Sequence, residues 1–203
     1  MRILLGIALA IFAVALPQDH AWAAALTFDT EPEITFEIPQ GWVACDAATS
    51  AVLHGPVPAG RMAALCAAFD DTGGAKMVGS PDGTLVLSFR GNGATVFPPE
   101  YFRSATPENV SAKSAALCRA TFKVSTGGPP CAFQLQNVAG RPALVGRIQT
   151  PDGKFDIGRM VVVSGKSRSA TFAFLTTAPG QDSSNRIDAI LASIRVPGKP
   201  EQH

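Results

Sequence analysis

The sequence has almost no excess of charge of either sign, because 17 lysine and arginine residues stand against 16 aspartate and glutamate residues. Proteins that hold a nucleic-acid backbone carry a surplus of basic residues, so this balance argues against nucleic acid as a partner. Charged residues make up only 16% of the 203-residue chain and hydrophobic residues 46%, which excludes a chain that is disordered throughout. The 19 glycines and 16 prolines follow no Gly-X-Y period, so a turn-rich globular fold is expected rather than a collagen-like or coiled-coil structure.

Signatures of catalysis are also scarce. The sequence contains neither a Cys-x-x-Cys pair nor a Gly-x-Ser-x-Gly nucleophile elbow. Of the three histidines, His20 lies in an N-terminal segment that we expect to be removed and His203 ends the sequence. A hydrolase would therefore have to use His54 as its base. Because Gly55 and Pro56 follow it, His54 is more typical of a loop, and the sequence favours a non-enzymatic protein.

The N-terminal segment has the pattern of an export signal. Arg2 precedes an uncharged, largely apolar run over residues 3–16, which is shorter than the roughly 20 residues that cross a bilayer as a helix. Small residues follow this run, so we expect a signal peptide over residues 1–23, with cleavage after Ala23 or Ala25. An uncleaved N-terminal anchor is the alternative.

Cleavage would place the remaining chain in the periplasm or outside the cell, without a stable membrane span. The first cysteine, Cys45, lies far from the cleavage site, which argues against a lipoprotein anchor. No change of composition divides the rest of the chain. We therefore expect one domain over residues 26–197 and a flexible tail over residues 198–203.

Export also changes what the four cysteines are expected to do. Their number is even, and an oxidising compartment favours two disulfides over free thiols. Four cysteines allow three pairings, and bridges between neighbours in sequence require the simplest path of the chain. The favoured bridges are Cys45–Cys66 and Cys118–Cys131, each of which would destabilise the unfolded chain by about 3 kcal/mol. The sequence has no cluster with zinc-ligand spacing, so neither a metal site nor a cofactor is expected.

Alternation of apolar and polar residues, which is typical of half-buried strands, runs through most of the expected domain. Two of the connections contain Pro-Asp-Gly, at 81–83 and 151–153, a sequence suited to the tight turn of a hairpin. A third hairpin turn is expected around Gly165 and Lys166. Strands are predicted within residues 34–38, 42–45, 75–80, 85–89, 131–138, 143–150, 155–164 and 171–174.

Two stretches change to the helical period. The first predicts a helix over residues 107–122, which begins at a proline. Near the C-terminus, Asp182 or Ser183 is expected to cap a second helix, whose apolar stripe over residues 187–194 needs a sheet to lie on. Together with a short helix considered within residues 61–69, these elements predict an α+β domain, an antiparallel β-sheet meander with helices packed on it.

Three features of this layout occur together in one known family. They are the stretch Phe36–Trp42, the Gly140–Leu144 start of a hairpin with Arg159 on the following strand, and the closing helix at Ile187–Val196. In these features the chain resembles the PsbP-like superfamily and its DcrB-like exported bacterial members. The resemblance implies an α-β-α sandwich around an antiparallel sheet, which docks to or assists larger complexes. It implies no shared chemistry and no catalytic residues.

Two places on the predicted surface suit binding. Tyr101, the only tyrosine, stands beside Phe102 and Arg103, and these residue types are enriched at the centres of interfaces. Alternatively, Tyr101 and Phe102 cover an edge of the core. The second place is a basic sheet face, because four arginines lie on or beside strands expected to be adjacent, although solvent-facing positions would produce this pattern anyway. These four are Arg141, Arg147, Arg159 and Arg168.

The sequence therefore predicts an exported, non-enzymatic binding or accessory module that acts on a protein partner or another component of the cell envelope. It would do so through a sheet face or the region of Tyr101. The alternative is an exported hydrolase with a site around His54 and nearby acidic residues.

Overall fold

The computed structural model describes residues 22–28, 32–69, 75–90, 97–122, 131–149, 156–177 and 180–196, and within them the chain forms nine strands and five helices. No helix in these ranges is both long and apolar enough to span a membrane. Residues 1–21 of the predicted leader, the predicted turn at 151–153 and the predicted tail lie outside the described residues. The strands are β1 (Trp22–Phe28), β2 (Ile34–Pro39), β3 (Val43–Ala44), β4 (Lys76–Gly79), β5 (Leu85–Arg90), β6 (Cys131–Val138), β7 (Arg141–Gln149), β8 (Asp156–Ser164) and β9 (Ser169–Thr176). The helices are α1 (Ala47–Leu53), α2 (Gly60–Ala67), α3 (Pro99–Arg103), α4 (Pro107–Phe122) and α5 (Gln181–Ala192).

Seven of the strands form one antiparallel sheet in the order β3-β4-β5-β9-β8-β7-β6. Strands β6 to β9 follow one another as a meander, and the last of them pairs with β5. β1 and β2 form a separate antiparallel ribbon. The arrangement is the α+β fold that the sequence predicts.

The larger part of the core lies between one face of this sheet, the β1–β2 ribbon and α5, and we call this side of the sheet the ribbon face. Aromatic rings hold it together: Phe28 of the ribbon stacks on Phe89 of β5 with 4.1 Å between ring centroids. Phe36 meets Phe172 of β9 edge to face at 4.8 Å. Such pairs stabilise a core by about 0.5–1.5 kcal/mol beyond the burial of their area. The apolar stripe of α5 completes this core with Ile187, Ile190 and Ile194.

The segment after α5 ties that helix to the ribbon. Thr35 and Arg195 exchange two backbone hydrogen bonds, of 2.9 and 3.0 Å. The Ser193 hydroxyl accepts a hydrogen bond from the N–H of Glu37 at 3.0 Å and donates one to the carbonyl of Ile190 at 2.7 Å. α5 is therefore fixed over a defined part of the ribbon face.

On the opposite side, which we call the helix face, the core is divided into two clusters. α3 and α4 place Phe102 and Val110 against the β6–β8 end of the sheet. α2 places Met62 against Val43 and Val86 at the β3–β5 end. The sheet is thus covered by helices at both ends of this face.

One disulfide joins the second of these clusters to the sheet. Cys45 directly follows β3 and is bonded to Cys66 of α2, with 4.9 Å between the Cα atoms. This is the first of the two bridges that the sequence predicts. The side chain of Cys118 lies outside the described residues, so its pairing with Cys131 stays a prediction.

The first Pro-Asp-Gly turn joins β4 to β5 as predicted. Gly83 takes a positive φ of 66°, which a glycine adopts without steric cost. The hydroxyl of Ser80 donates a 2.6 Å hydrogen bond to Oδ1 of Asp82, and the Thr84 N–H donates to the same oxygen at 3.1 Å. The Ser80 hydrogen bond is the largest reason why the pKa of the Asp82 carboxyl lies below its usual value.

The main differences from the sequence prediction are three additional elements and the start of α5. β1, α1 and α3 are present but were not predicted. α5 begins at Gln181 after Gly180, whereas Asp182 or Ser183 had been expected as the cap. The extended backbone of Gly180 occupies the capping position without a side chain, so the two polar residues lie inside the first turn.

Candidate functional site

The residues predicted to contact a partner around Tyr101 lie mostly inside the helix-face core. Phe102 is buried, and the Tyr101 hydroxyl is buried without a hydrogen-bond partner among the described residues. Burial raises the pKa of Tyr101. Nζ of Lys113 lies 4.1 Å from the centroid of the Tyr101 ring, a cation–π contact that covers it further. Of the three predicted residues only Arg103 is exposed, and partner binding at this place stays a prediction.

His54, the base of the alternative hydrolase, ends α1 on the surface. Its side chain is exposed and its backbone is left-handed, with φ of 50°. Its N–H donates a 3.0 Å hydrogen bond to the carbonyl of Ser50, which closes the helix. His54 lines neither of the two clefts described below. Within the described ranges no group of three or more His, Cys, Asp and Glu side chains is placed to hold a metal ion, and the hydrolase stays a prediction.

The first cleft is a groove of about 310 Å³ between β1 and α1, which we call the β1–α1 groove. Its basic residue, Lys76, is already engaged: Nζ lies 3.5 Å from Oδ1 of Asp46 and donates a 3.2 Å hydrogen bond to the Thr49 hydroxyl. Asp46 in turn caps α1 by accepting the Thr49 N–H at 2.8 Å. The groove therefore offers mainly apolar contact. Its other lining residues are Ala25, Leu26, Thr27, Phe28, Ala48 and Val52.

The second cleft, of about 250 Å³, lies on the β6–β8 end of the sheet, and we call it the sheet-face cleft. It differs from the first in the polarity of its walls, which carry two guanidinium groups and two carboxamides. β8 contributes Arg159, and β6 and β7 contribute Ala132, Gln134, Gln136, Val145, Gly146 and Arg147.

The strand register explains why these side chains share one side of the sheet. Gln134 of β6 pairs with Val145 of β7, which pairs with Val161 of β8, and Val161 belongs to the ribbon-face core. Side chains two residues along a strand point to the same side, so Gln136 and Arg147 also lie on the ribbon face. The ribbon and α5 cover the core part of that face, but Gln134, Gln136 and Arg147 remain exposed. The cleft is therefore the uncovered end of an otherwise buried sheet face.

A bulge in β8 places Arg159 at the border between the core and the cleft. The register of β8 shifts at this point in its pairing with β7 and also in its pairing with β9, because Gly158 is one extra residue in the strand. A Cβ atom at Gly158 would lie 3.0 Å from Cδ1 of Ile187, so α5 packs directly over this glycine. The next residue, Arg159, lies beside α5, with its guanidinium 3.7 Å from Oδ1 of Asp188.

The two arginines of the cleft are only weakly neutralised. Arg159 donates a 2.9 Å hydrogen bond to the carbonyl of Gly158, and its partner Asp188 is 59% exposed, so that ion pair is screened by solvent. Arg147 is exposed and has no ion pair with any other residue of the described ranges. The cleft thus presents a net positive charge together with amide donors and acceptors.

The basic sheet face expected from the sequence is assembled only in part. Arg147 and Arg159 line the same cleft. Arg141, at the far end of β7, is buried, and Arg168 lies in the exposed turn between β8 and β9. Gln134 is not among the binding residues that the sequence predicts, and the bulge is not predicted either, although a glycine inside a strand pattern is a known sign of one.

Comparison with known proteins adds no assignment to this geometry. No protein-family model matches the chain, and no curated protein sequence matches it significantly. The resemblance to the PsbP-like superfamily therefore stays an expectation from the sequence.

Proposed function

We propose that this protein is an exported, non-enzymatic binding module that contacts a protein partner of the cell envelope through the sheet-face cleft. Periplasmic or extracellular placement follows from the predicted signal peptide over residues 1–23. The Cys45–Cys66 bridge supports that placement, because disulfides persist in oxidising compartments and are rare in the cytosol.

The position of β1 favours one of the two predicted cleavage sites. Cleavage after Ala23 keeps Ala24 and Ala25, which pair with Ile38 and Glu37 of β2. Cleavage after Ala25 removes both pairs and leaves buried Leu26 at the new terminus. We therefore propose that the mature chain begins at Ala24.

The observation that carries the binding role is the uncovered end of the ribbon face. Elsewhere on that face the ribbon and α5 bury aromatic and aliphatic side chains, whereas the cleft exposes Gln134, Gln136 and Arg147 side by side. Arginine is one of the residue types that concentrate binding energy at interfaces. A partner can cover such an exposed polar end of a sheet without displacing any side chain of the core.

The test is affinity capture with cross-linking from envelope extracts of cells that make the protein. The bait is the exported protein, and the variant is Arg147→Glu, which reverses an exposed charge in the cleft. The matched control is Arg103→Glu, which makes the same charge change on α3, on the helix face of the sheet. We expect a reproducible partner that is captured by the wild type and the control and is lost with the cleft variant.

Two outcomes contradict the proposal. If the Arg103 variant loses the partner and the Arg147 variant keeps it, the surface is the region around Tyr101. If the three baits recover no reproducible partner, the binding role itself fails.

A further inference from the structure

We infer that the sheet-face cleft binds an acidic, extended segment of the protein partner, with Arg147 and Arg159 contacting its carboxylates. The inference rests on the proposed binding function and adds the chemistry of the ligand. It is carried by the charge of the cleft, by its size and by the strand that borders it.

The charge of the cleft fits carboxylate. A guanidinium group presents its donors as a planar fork, which matches the two oxygens of a carboxylate in a bidentate contact. Arg147 has no ion pair within the described ranges, and the Arg159–Asp188 distance of 3.7 Å leaves room for a better partner. Because Asp188 is 59% exposed, it can return to solvent at little cost when a ligand carboxylate takes its place.

The size of the cleft fits part of a larger partner. At about 250 Å³ it is smaller than most pockets that enclose a free small molecule, which span roughly 300–1,000 Å³. Its polar walls are exposed at Gln134, Gln136 and Arg147 rather than closed over a cavity. A ligand here would remain half in solvent, as a segment on the surface of another protein does.

The neighbouring strand fits an extended segment. β6 is the last strand of the sheet, so its outer edge has no strand beside it in the described part of the chain. Gln134 and Gln136 lie on one side of β6 about 6.7 Å apart, which is also the spacing of alternate side chains in an extended peptide. Their carboxamides can donate to acidic side chains and accept from peptide N–H groups. A partner with glutamates at alternate positions would therefore match both the arginines and the glutamines.

The probe for this inference is a capped peptide of alternating serine and glutamate. The protein is exported with its own leader, purified with its disulfide intact, labelled with ¹⁵N and titrated by NMR. We expect amide shift changes concentrated in residues 132–136, 145–147 and 159–160, and weaker binding at high salt. The matched peptide of alternating serine and glutamine should give no such changes.

Four variants separate the site from general electrostatics. Charge-assisted hydrogen bonds are about twice as strong as neutral ones, so Arg147→Gln and Arg159→Gln should each weaken peptide binding about tenfold. Arg103→Gln removes the same charge on the helix face and should change the affinity by less than about twofold. Asp188→Asn removes the competing carboxylate and should tighten binding about two- to threefold. Thermal melts of all four variants check that they fold.

Several results would overturn the inference. One is an absence of shift changes in the cleft with the glutamate peptide, and another is equal binding of the glutamine peptide. An equal loss of affinity with Arg103→Gln would show that the peptide responds to the net charge of the protein and not to the cleft. If free glutarate displaces the peptide at the same concentration of carboxylates, the ligand is a free acid rather than a protein segment. If the captured partner depends on Arg147 while the glutamate peptide does not bind, the proposed function stands and only this inference fails.

Discussion

The ring of Phe133 lies against the bare backbone of Gly146, its partner across the β6–β7 pair. A Cβ atom at Gly146 would come within 2.6 Å of Cε1 and 2.8 Å of Cγ of that ring. Phe133 is buried, and its ring also packs 5.9 Å from the ring of Phe97. Glycine weakens a strand interior, and an aromatic ring on the opposite strand covers the gap that it leaves. This contact holds the helix-face core directly beneath the floor of the sheet-face cleft.

The first prediction follows from that contact. Gly146→Ala should lower the free energy of unfolding by about 1–3 kcal/mol, because the new methyl group forces the Phe133 ring out of a packed core. Urea denaturation followed by circular dichroism measures the change. The control is Gly180→Ser, since a Cβ atom at Gly180 meets no atom within 4 Å and serine is a good helix cap. Equal stability of Gly146→Ala and wild type would show that the ring does not lie on this glycine.

The second prediction concerns the bridge between β3 and α2. Replacing Cys45 and Cys66 by serine should lower the free energy of unfolding by about 3 kcal/mol, because the bridge closes a loop with a sequence separation of 21. Both proteins are melted without reductant, so that any second bridge stays the same in the two. The helix around Met62 should lose protection from hydrogen exchange before the rest of the core does. A double variant that unfolds at the same temperature as the wild type would show that the bridge does not stabilise the fold.

The third prediction is an acid sensitivity at the start of α1. Burial alone would raise the pKa of the Asp46 carboxyl, but the hydrogen bonds from Thr49 and the charge of Lys76 outweigh it, so the pKa is lowered. A lowered pKa in the folded state gives stability that is fully present above the ordinary value, about 4 for aspartate, and is lost as the pH falls through the lower folded value. Asp46 therefore stabilises the protein at neutral pH and ceases to do so in acid.

Asp46→Asn tests this, because asparagine keeps the helix cap but not the charge. The variant should be less stable than wild type at pH 7, by about 1 kcal/mol for this partly buried ion pair, and the two should converge as the pH falls below the folded pKa of Asp46. Lys76→Gln removes the same ion pair from its other side and should leave part of the acid dependence, because the Thr49 hydrogen bonds remain. A difference between wild type and Asp46→Asn that stays constant with pH would contradict the assignment.

The fourth prediction concerns the N-terminus of the exported protein. Mass spectrometry of native material should find a chain that begins at Ala24, because β1 needs Ala24 and Ala25 for its pairing with β2. A start at Ala24 shortens β1 by its first two residues, whereas a start at Leu26 would also remove the Ala24 and Ala25 pairs and contradict the prediction. An intact leader would contradict export by cleavage.

The elements that the sequence predicted correctly are those whose signals are local. The Pro-Asp-Gly turn between β4 and β5 needs only Ser80, Asp82 and Thr84 around its glycine, and alternation alone identifies β5 and β9. α1 was missed although its cap, Asp46, is a local signal, because the seven residues Ala47–Leu53 are too few and too rich in alanine to show a helical period. β1 was missed because its alanines carry little strand signal, and its buried residues face a core that only the tertiary fold assembles.

The candidate site could not be predicted from the sequence pattern alone. The four arginines are visible in the sequence, but the bulge at Gly158 and the limits of α5 decide that Arg147 and Arg159 meet while Arg141 is buried elsewhere. A register shift of one residue reverses the side to which every following side chain points, and no spacing rule fixes where such a shift falls. Candidate binding residues on a sheet are therefore less predictable than the sheet itself.

The last prediction uses the same bulge to connect the core with the cleft. A Cβ atom at Gly158 would lie 3.0 Å from Cδ1 of Ile187, so Gly158→Ala should destabilise the protein by at most about 1 kcal/mol and push the end of the Ile187 side chain away from the sheet. Asp188 follows Ile187 on α5 and pairs with Arg159, which follows Gly158, so NMR should report shifts at both residues. Ile187→Val removes the atom in the way and costs about 0.5–1.5 kcal/mol by itself. In the double variant the methyl group of Ala fills the space that the Ile187 Cδ1 atom leaves, so the combined loss should be smaller than the sum of the two single losses. Additive losses would show that α5 does not pack on this glycine, and the border of the cleft would then need another explanation.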